Sequence, residues 1–176
     1  PAIGEMTAFA LELLKQKGKP FFMVIEEEGS DNFANDNNAI GALTALSRAD
    51  DAIGKTMNYI LDQPNTLLVT AADSDAGGMQ ACTFGNDLVP DRSLPAKNSN
   101  GAPVDGIEGT ATLPFTAKPD RFGNEMQFAI TWASYGDVYG AVIAKAHGLN
   151  AEKLPNNVDN SDIYKLMYFT LFGKEL

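Results

Sequence analysis

The sequence predicts an α/β fold, a three-layer α/β/α sandwich around a largely parallel sheet. Three observations carry that expectation. Residues 21–25 and 66–71 are short, continuous apolar runs, the pattern of strands buried on both faces. Between them, residues 37 to about 61 place Ile40, Leu43, Leu46, Ile53, Met57 and Ile60 at helical spacing. Strand, helix and strand in that order make a βαβ unit, whose two strands run parallel. Parallel strands buried on both faces need helices above and below.

The remaining elements follow along the chain. From residue 5 to 17, Met6, Phe9, Ala10, Leu13 and Leu14 fall on one helical face, and Gly18 and Pro20 stop the helix. Asp62, Pro64 and Asn65 break the long central helix before the second strand. Residues 79–84 read as a strand that carries Cys82. Residues 85–127 then change character, with Pro90, Pro95, Gly101, Pro103, Gly106, Gly109, Pro114, Pro119 and Gly123, and read as an irregular insertion. Order returns with a strand over 126–132. A helix is expected over 138–146, ending at His147 and Gly148. The run Asp159-Asn160-Ser161-Asp162 supplies N-caps for a last helix to about Phe172, with Ile163, Leu166, Met167, Phe169 and Leu171 as its apolar positions. The whole chain, 1–176, reads as a single domain.

Thirteen basic against twenty-three acidic side chains give a net charge of −10. That balance repels nucleic acid and anionic membranes, and suits cation binding or plain solubility. The one cysteine, Cys82, excludes an internal disulfide and reads as a buried, inert thiol. No run approaches the roughly 18 apolar residues of a membrane span, and no signal peptide is visible. The chain opens on Pro1, which carries the expectation of a processed or cut piece.

The chemistry sits at the ends of the two predicted strands. Glu26, Glu27, Glu28, Asp31, Asn35 and Asn38 follow the first; Asp73, Ser74, Asp75 and the pair Gly77-Gly78 follow the second. Parallel strands would bring both clusters to one sheet edge, where α/β folds hold ligands and metals. His147 reads as a helix cap, Gly77-Gly78 as a turn, and Trp132 as a core residue.

The spacing of those residues resembles the C-terminal half of alkaline phosphatases. In that family a strand ends in Glu, with Asp five residues on and His four further; a later strand ends in an Asp-His pair near two glycines. Glu26, Asp31 and Asn35 match the first pattern, and Asp73 and Ser74 the second. The resemblance covers residues 1 to 80 well and 126 to 172 loosely. It implies that Glu26 corresponds to a magnesium ligand, and Asp31 and Asp73 to ligands of two zinc ions. Asn35 and Ser74 stand where the family has histidines. The run Ala133-Ser134-Tyr135-Gly136-Asp137-Val138 matches a third histidine-bearing stretch, with alanine or serine in its place.

An amide and a hydroxyl in place of imidazoles turn the expected metal set (Glu26, Asp31, Asn35, Asp73 and Ser74) into an oxygen-rich one. Such donors suit Mg²⁺, Ca²⁺ or Mn²⁺ better than zinc. Asp36 and Asp75 are near enough in sequence to add oxygens. The family's Ser or Thr nucleophile and its phosphate-holding arginine come from an N-terminal half, so no catalytic residue is expected in this chain. Two functions stand side by side. One is a metal-dependent phosphate monoester hydrolase represented by its C-terminal portion, acting on phosphate esters or other small anions. The other is a non-catalytic cation- or ligand-binding module with a degenerate phosphatase fold. Homodimer formation stays open, and the resemblance alone suggests a secreted or periplasmic setting.

Overall fold

The computed structural model describes residues 1–83 and 92–176, so part of the expected 85–127 insertion, and Phe84 of the strand before it, lie outside the described residues. The chain divides into two compact units. Pro1–Glu26, Arg48–Asp73 and Val142–Leu176 form the first; Glu27–Ser47 and Ser74–Ala141 form the second.

In the first unit, helix α1 (Ile3–Gln16) buries Thr7 and Leu11 and ends at Gly18, whose φ of 60° is the left-handed stop that the sequence announced. Two further helices lie downstream: α2 (Gly29–Asn35), in the second unit, and the long α3 (Ala39–Asp62), within which the unit boundary falls. The C-terminal part of α3 buries Ala52, Thr56 and Ile60. Its Asp51 side chain stands so close to Gly4 of α1 that any β-carbon at position 4 would collide with the carboxylate.

Strand β1 (Leu67–Thr70) occupies the second predicted strand. Its partner is β9 (Lys145–Gly148), antiparallel, with Leu67 opposite Gly148 and Thr70 opposite Lys145. A last helix, α4 (Asn160–Phe172), begins as expected. Asp159 accepts from Ser161 N at 2.9 Å, Asp162 accepts from Asp159 N at 3.0 Å, and Gly173 closes the helix at a φ of 64°.

Three expectations need correction. Residues 138–146 form no helix: Asp137–Val138 and Lys145–Gly148 are strands, and His147 lies opposite Leu68 instead of capping a helix. Gly136 and Gly140 weaken a helix there, β-branched Val142 and Ile143 favour extended backbone, and β1 offers an edge to pair with. Residues 21–25 run without a ladder, and Phe22 and Val24 are 59% and 76% exposed. The other face of this run, Phe21 and Met23, is half-buried, with the Phe21 ring edge-on to Tyr59. Burial on both faces requires a packed layer on each face, and no described residue covers Phe22 or Val24. Finally, every strand pairing among the described residues is antiparallel, so the largely parallel sheet is not found within them.

The second unit is built from short strands. β2 (Asp75–Ala76) pairs with β8 (Asp137–Val138). β3 (Gln80–Cys82) pairs with the central β7 (Gln127–Thr131), which also receives β4 (Asp105–Gly106) and β6 (Phe115–Thr116); β5 (Gly109–Thr110) pairs with β4. The core joins Ala34, Ala39, Ala42, Ala102, Ile130 and Trp132, as the reading of Trp132 expected. Leu94, Val104 and Ala129 make a second cluster, against which Cys82 packs. Burial raises the pKa of the Cys82 thiol, which keeps it protonated and inert.

The described part of the irregular segment is anchored. Asp105 is only 2% exposed, and each of its oxygens is used. Oδ2 accepts from Ala39 N at 3.1 Å and from Trp132 Nε1 at 3.3 Å; Oδ1 accepts from Thr110 Oγ1 at 2.8 Å. A buried carboxylate thus satisfies the first amide of α3 at the positive end of its dipole, while Asn38 Oδ1 accepts from Gly41 N at 2.9 Å one turn on. Nothing in the sequence pattern marked Asp105.

Candidate functional site

Residues 29–35, for which the sequence suggested no element, fold into α2. A helix puts Asp31 and Asn35 one turn apart on the same face, and the two side chains meet there. Asn35 Nδ2 donates to Asp31 Oδ1 at 3.2 Å and Oδ2 at 3.3 Å. The same nitrogen donates to Asp137 Oδ1 at 3.0 Å, across from the β8 strand. The amide oxygen accepts from Gly77 N at 3.0 Å.

Gly77 is the junction of this arrangement. Its φ of 65° and the approach of the Ala34 carbonyl leave no room for a side chain. The Gly77 N–H is shared with Gly136 O at 3.2 Å, and Gly77 O accepts from Ala133 N and Ser134 N at 3.0 and 3.1 Å. The glycine pair is a turn, as expected, and one that also fixes the stretch leading into Asp137. Asp75 sits beside Gly140, where a β-carbon would strike its carboxylate. Ser74 is half-buried.

The remaining predicted residues belong to the first unit. Glu26 and Asp73 are exposed, and among the described residues neither has a hydrogen-bond or ion-pair partner. The structure therefore brings Asp31 and Asn35 together and adds Asp137, which sequence reasoning did not name as a site residue. The signal was present: Asp137 stands in the stretch matched to the third histidine-bearing segment. The i, i+4 spacing of Asp31 and Asn35 was equally legible once 29–35 is read as a helix.

The donors present are carboxylate, amide and hydroxyl oxygens, which suit hard divalent cations better than zinc. Among the described residues no group of three or more His, Cys, Asp or Glu side chains is arranged to hold a metal ion. Among those residues, too, no helix is long and apolar enough to cross a membrane.

A family model described as alkaline phosphatase matches residues 1–171. Alkaline phosphatase 4 of Bacillus subtilis (strain 168) is 30% identical over 78 residues, which are 44% of this chain and 17% of that protein. The tissue-nonspecific alkaline phosphatase isozyme of Rattus norvegicus is 31% identical over 117 residues, 66% of this chain and 20% of the relative. Among solved structures, the alkaline phosphatase from the Antarctic bacterium TAB5 superposes with a TM-score of 0.67 at 18% identity, covering 98% of this chain and 42% of that one. A histidine-to-aspartate mutant of that phosphatase, with Mg bound in its M3 site, gives 0.66 over 94% of this chain and 40% of that one. The matched part is thus about a fifth of each curated relative.

Proposed function

The chain belongs to the alkaline phosphatase family, and from that premise we propose that it is the C-terminal portion of a metal-dependent phosphate monoester hydrolase. The observation that carries the reading is the family match over residues 1–171. Among the ligands expected from the sequence, Glu26 and Asp73, both in the first unit, offer carboxylates that no described side chain engages. The metal reading takes Mg²⁺, Ca²⁺ or Mn²⁺ on these oxygens. A bound divalent cation would neutralise charge on the phosphoryl oxygens as the ester bond breaks.

The chain's own residues have a simpler part. They hold carboxylates in place, and the reading assigns no activated nucleophile among the described residues. Ser30 Oγ donates to Glu27 O at 2.9 Å, with no base beside it. The reading therefore takes nucleophile and phosphate-holding arginine from residues outside this chain. It also assigns the missing strands there. Residues 21–25, apolar and unladdered, would gain parallel neighbours in the whole protein and complete a three-layer sandwich.

The second reading, a non-catalytic module, is favoured by one feature: Asn35 and Ser74 stand where the family has histidines. Hydrolysis of p-nitrophenyl phosphate by the whole natural protein, after chelation and after return of Mg²⁺, separates the two. Metal-restored turnover of the monoester supports the hydrolase. No turnover with any divalent cation, by protein shown to be folded, leaves the binding module.

A further inference from the structure

We infer that the Asn35 side chain is not a metal ligand but a built-in substitute for a cation, bridging Asp31 and Asp137. The inference concerns one position within the phosphatase-like reading and deepens it. Two like-charged groups face one nitrogen, at 3.2 and 3.3 Å for the two Asp31 oxygens and 3.0 Å for Asp137 Oδ1. Carboxylates held together in this way need something positive between them. Among the described residues the only ion pairs are Lys55 with Asp51 and Lys165 with Asp162, so no basic side chain serves either group. The Asn35 amide protons are what remains.

The orientation of that amide is fixed from its other end. Its oxygen receives the Gly77 N–H at 3.0 Å. Turning the group over would set an amide oxygen against two carboxylates and an amide nitrogen against a backbone N–H, losing all four contacts. Gly77 cannot shift to accommodate the reverse, because it is held at a left-handed φ between Ala34 and the Ala133–Ser134 amides. A cation placed between Asp31 and Asp137 would meet N–H hydrogens, not lone pairs. It could enter only by displacing Asn35. This position in the fold is consequently satisfied without metal, whatever Glu26 and Asp73 bind.

The consequence is testable by making the donor an acceptor. Asn35→Asp keeps the side chain's size and replaces the bridging nitrogen with an oxygen of a third carboxylate. Equivalents of Ca²⁺ held per chain, measured by equilibrium dialysis and elemental analysis, should rise by one relative to wild type. In chelator the variant should melt below wild type, and Ca²⁺ should restore the difference. An unchanged or smaller number of equivalents would overturn the inference, since a ligating Asn35 exchanged for aspartate keeps its place in the count. Asn35→Ser covers the case in which the charged variant does not fold in chelator. It should hold at least as many equivalents as wild type, and one fewer would mark Asn35 as a ligand. Both comparisons stand even if wild type hydrolyses nothing, so failure here is separate from failure of the phosphatase reading.

Discussion

The acidic residues of the two units look alike in sequence and differ in structure. Glu26 and Asp73, in the first unit, are exposed and without partners among the described residues. Asp31, in the second unit, is half-buried and tied through Asn35 to Asp137 and Gly77. Sequence spacing located the carboxylates of both. It did not show which were available to a ligand and which were already engaged. Availability depends on what reaches the carboxylate from other elements, and β8 and the Gly77 turn are distant from α2 in sequence.

Substitutions sharpen that contrast, from the largest effect to the smallest. The second unit should be most sensitive at Asp105. Asp105→Ala leaves the Ala39 amide and the Trp132 indole N–H buried without acceptors, and should cost about 3 kcal/mol in chemical denaturation. A loss below about 1 kcal/mol would mean that the insertion is not anchored as described. Gly77→Ala should cost about 2 kcal/mol, from its left-handed φ and the collision with the Ala34 carbonyl.

Acid should act on the first unit at α4. Backbone N–H donation from Ser161 holds the Asp159 carboxyl below its ordinary range, and donation from Asp159 N does the same for Asp162. A depressed folded-state pKa means the stabilisation is present above the ordinary value of about 3.9 and is lost as pH falls through the lower one. Helicity by circular dichroism should therefore fall below about pH 4, and Asp159→Ala should remove part of that dependence. Glu26→Ala and Asp73→Ala belong at the bottom of the scale. Each should change stability by less than about 0.5 kcal/mol, because nothing described in the structure leans on either side chain.

Much of this molecule was legible in its residues. The helices α1, α3 and α4 were readable because apolar spacing, Gly18 and the Asp159–Asp162 box are local signals. The core place of Trp132 and the quiet thiol of Cys82 were readable as well. What failed was non-local. The apolar run at 21–25 promised a doubly buried strand, but burial is a property of neighbours, and Phe22 and Val24 face solvent. The stretch at 138–146 has helical spacing of small apolar residues, yet pairing with β1 claims its end as β9. The Gly- and Pro-rich segment looked loose, while one carboxylate, Asp105, fastens it to a helix and to Trp132. Spacing proposed Asn35 as a ligand, and the inference drawn from its contacts gives it a different task, since an amide can ligate or donate and only its neighbours decide.

The most direct test of the contrast between free and engaged carboxylates is the melting temperature with and without Mg²⁺. At ten times its dissociation constant a bound ion adds about 1.4 kcal/mol, or roughly 3–6 °C for a chain of this size. That rise is expected in wild type and in Asp137→Asn, and its loss when Glu26→Ala and Asp73→Ala are combined. A rise that survives the double substitution but vanishes in Asp137→Asn would contradict it, placing the cation in the space assigned to the Asn35 amide.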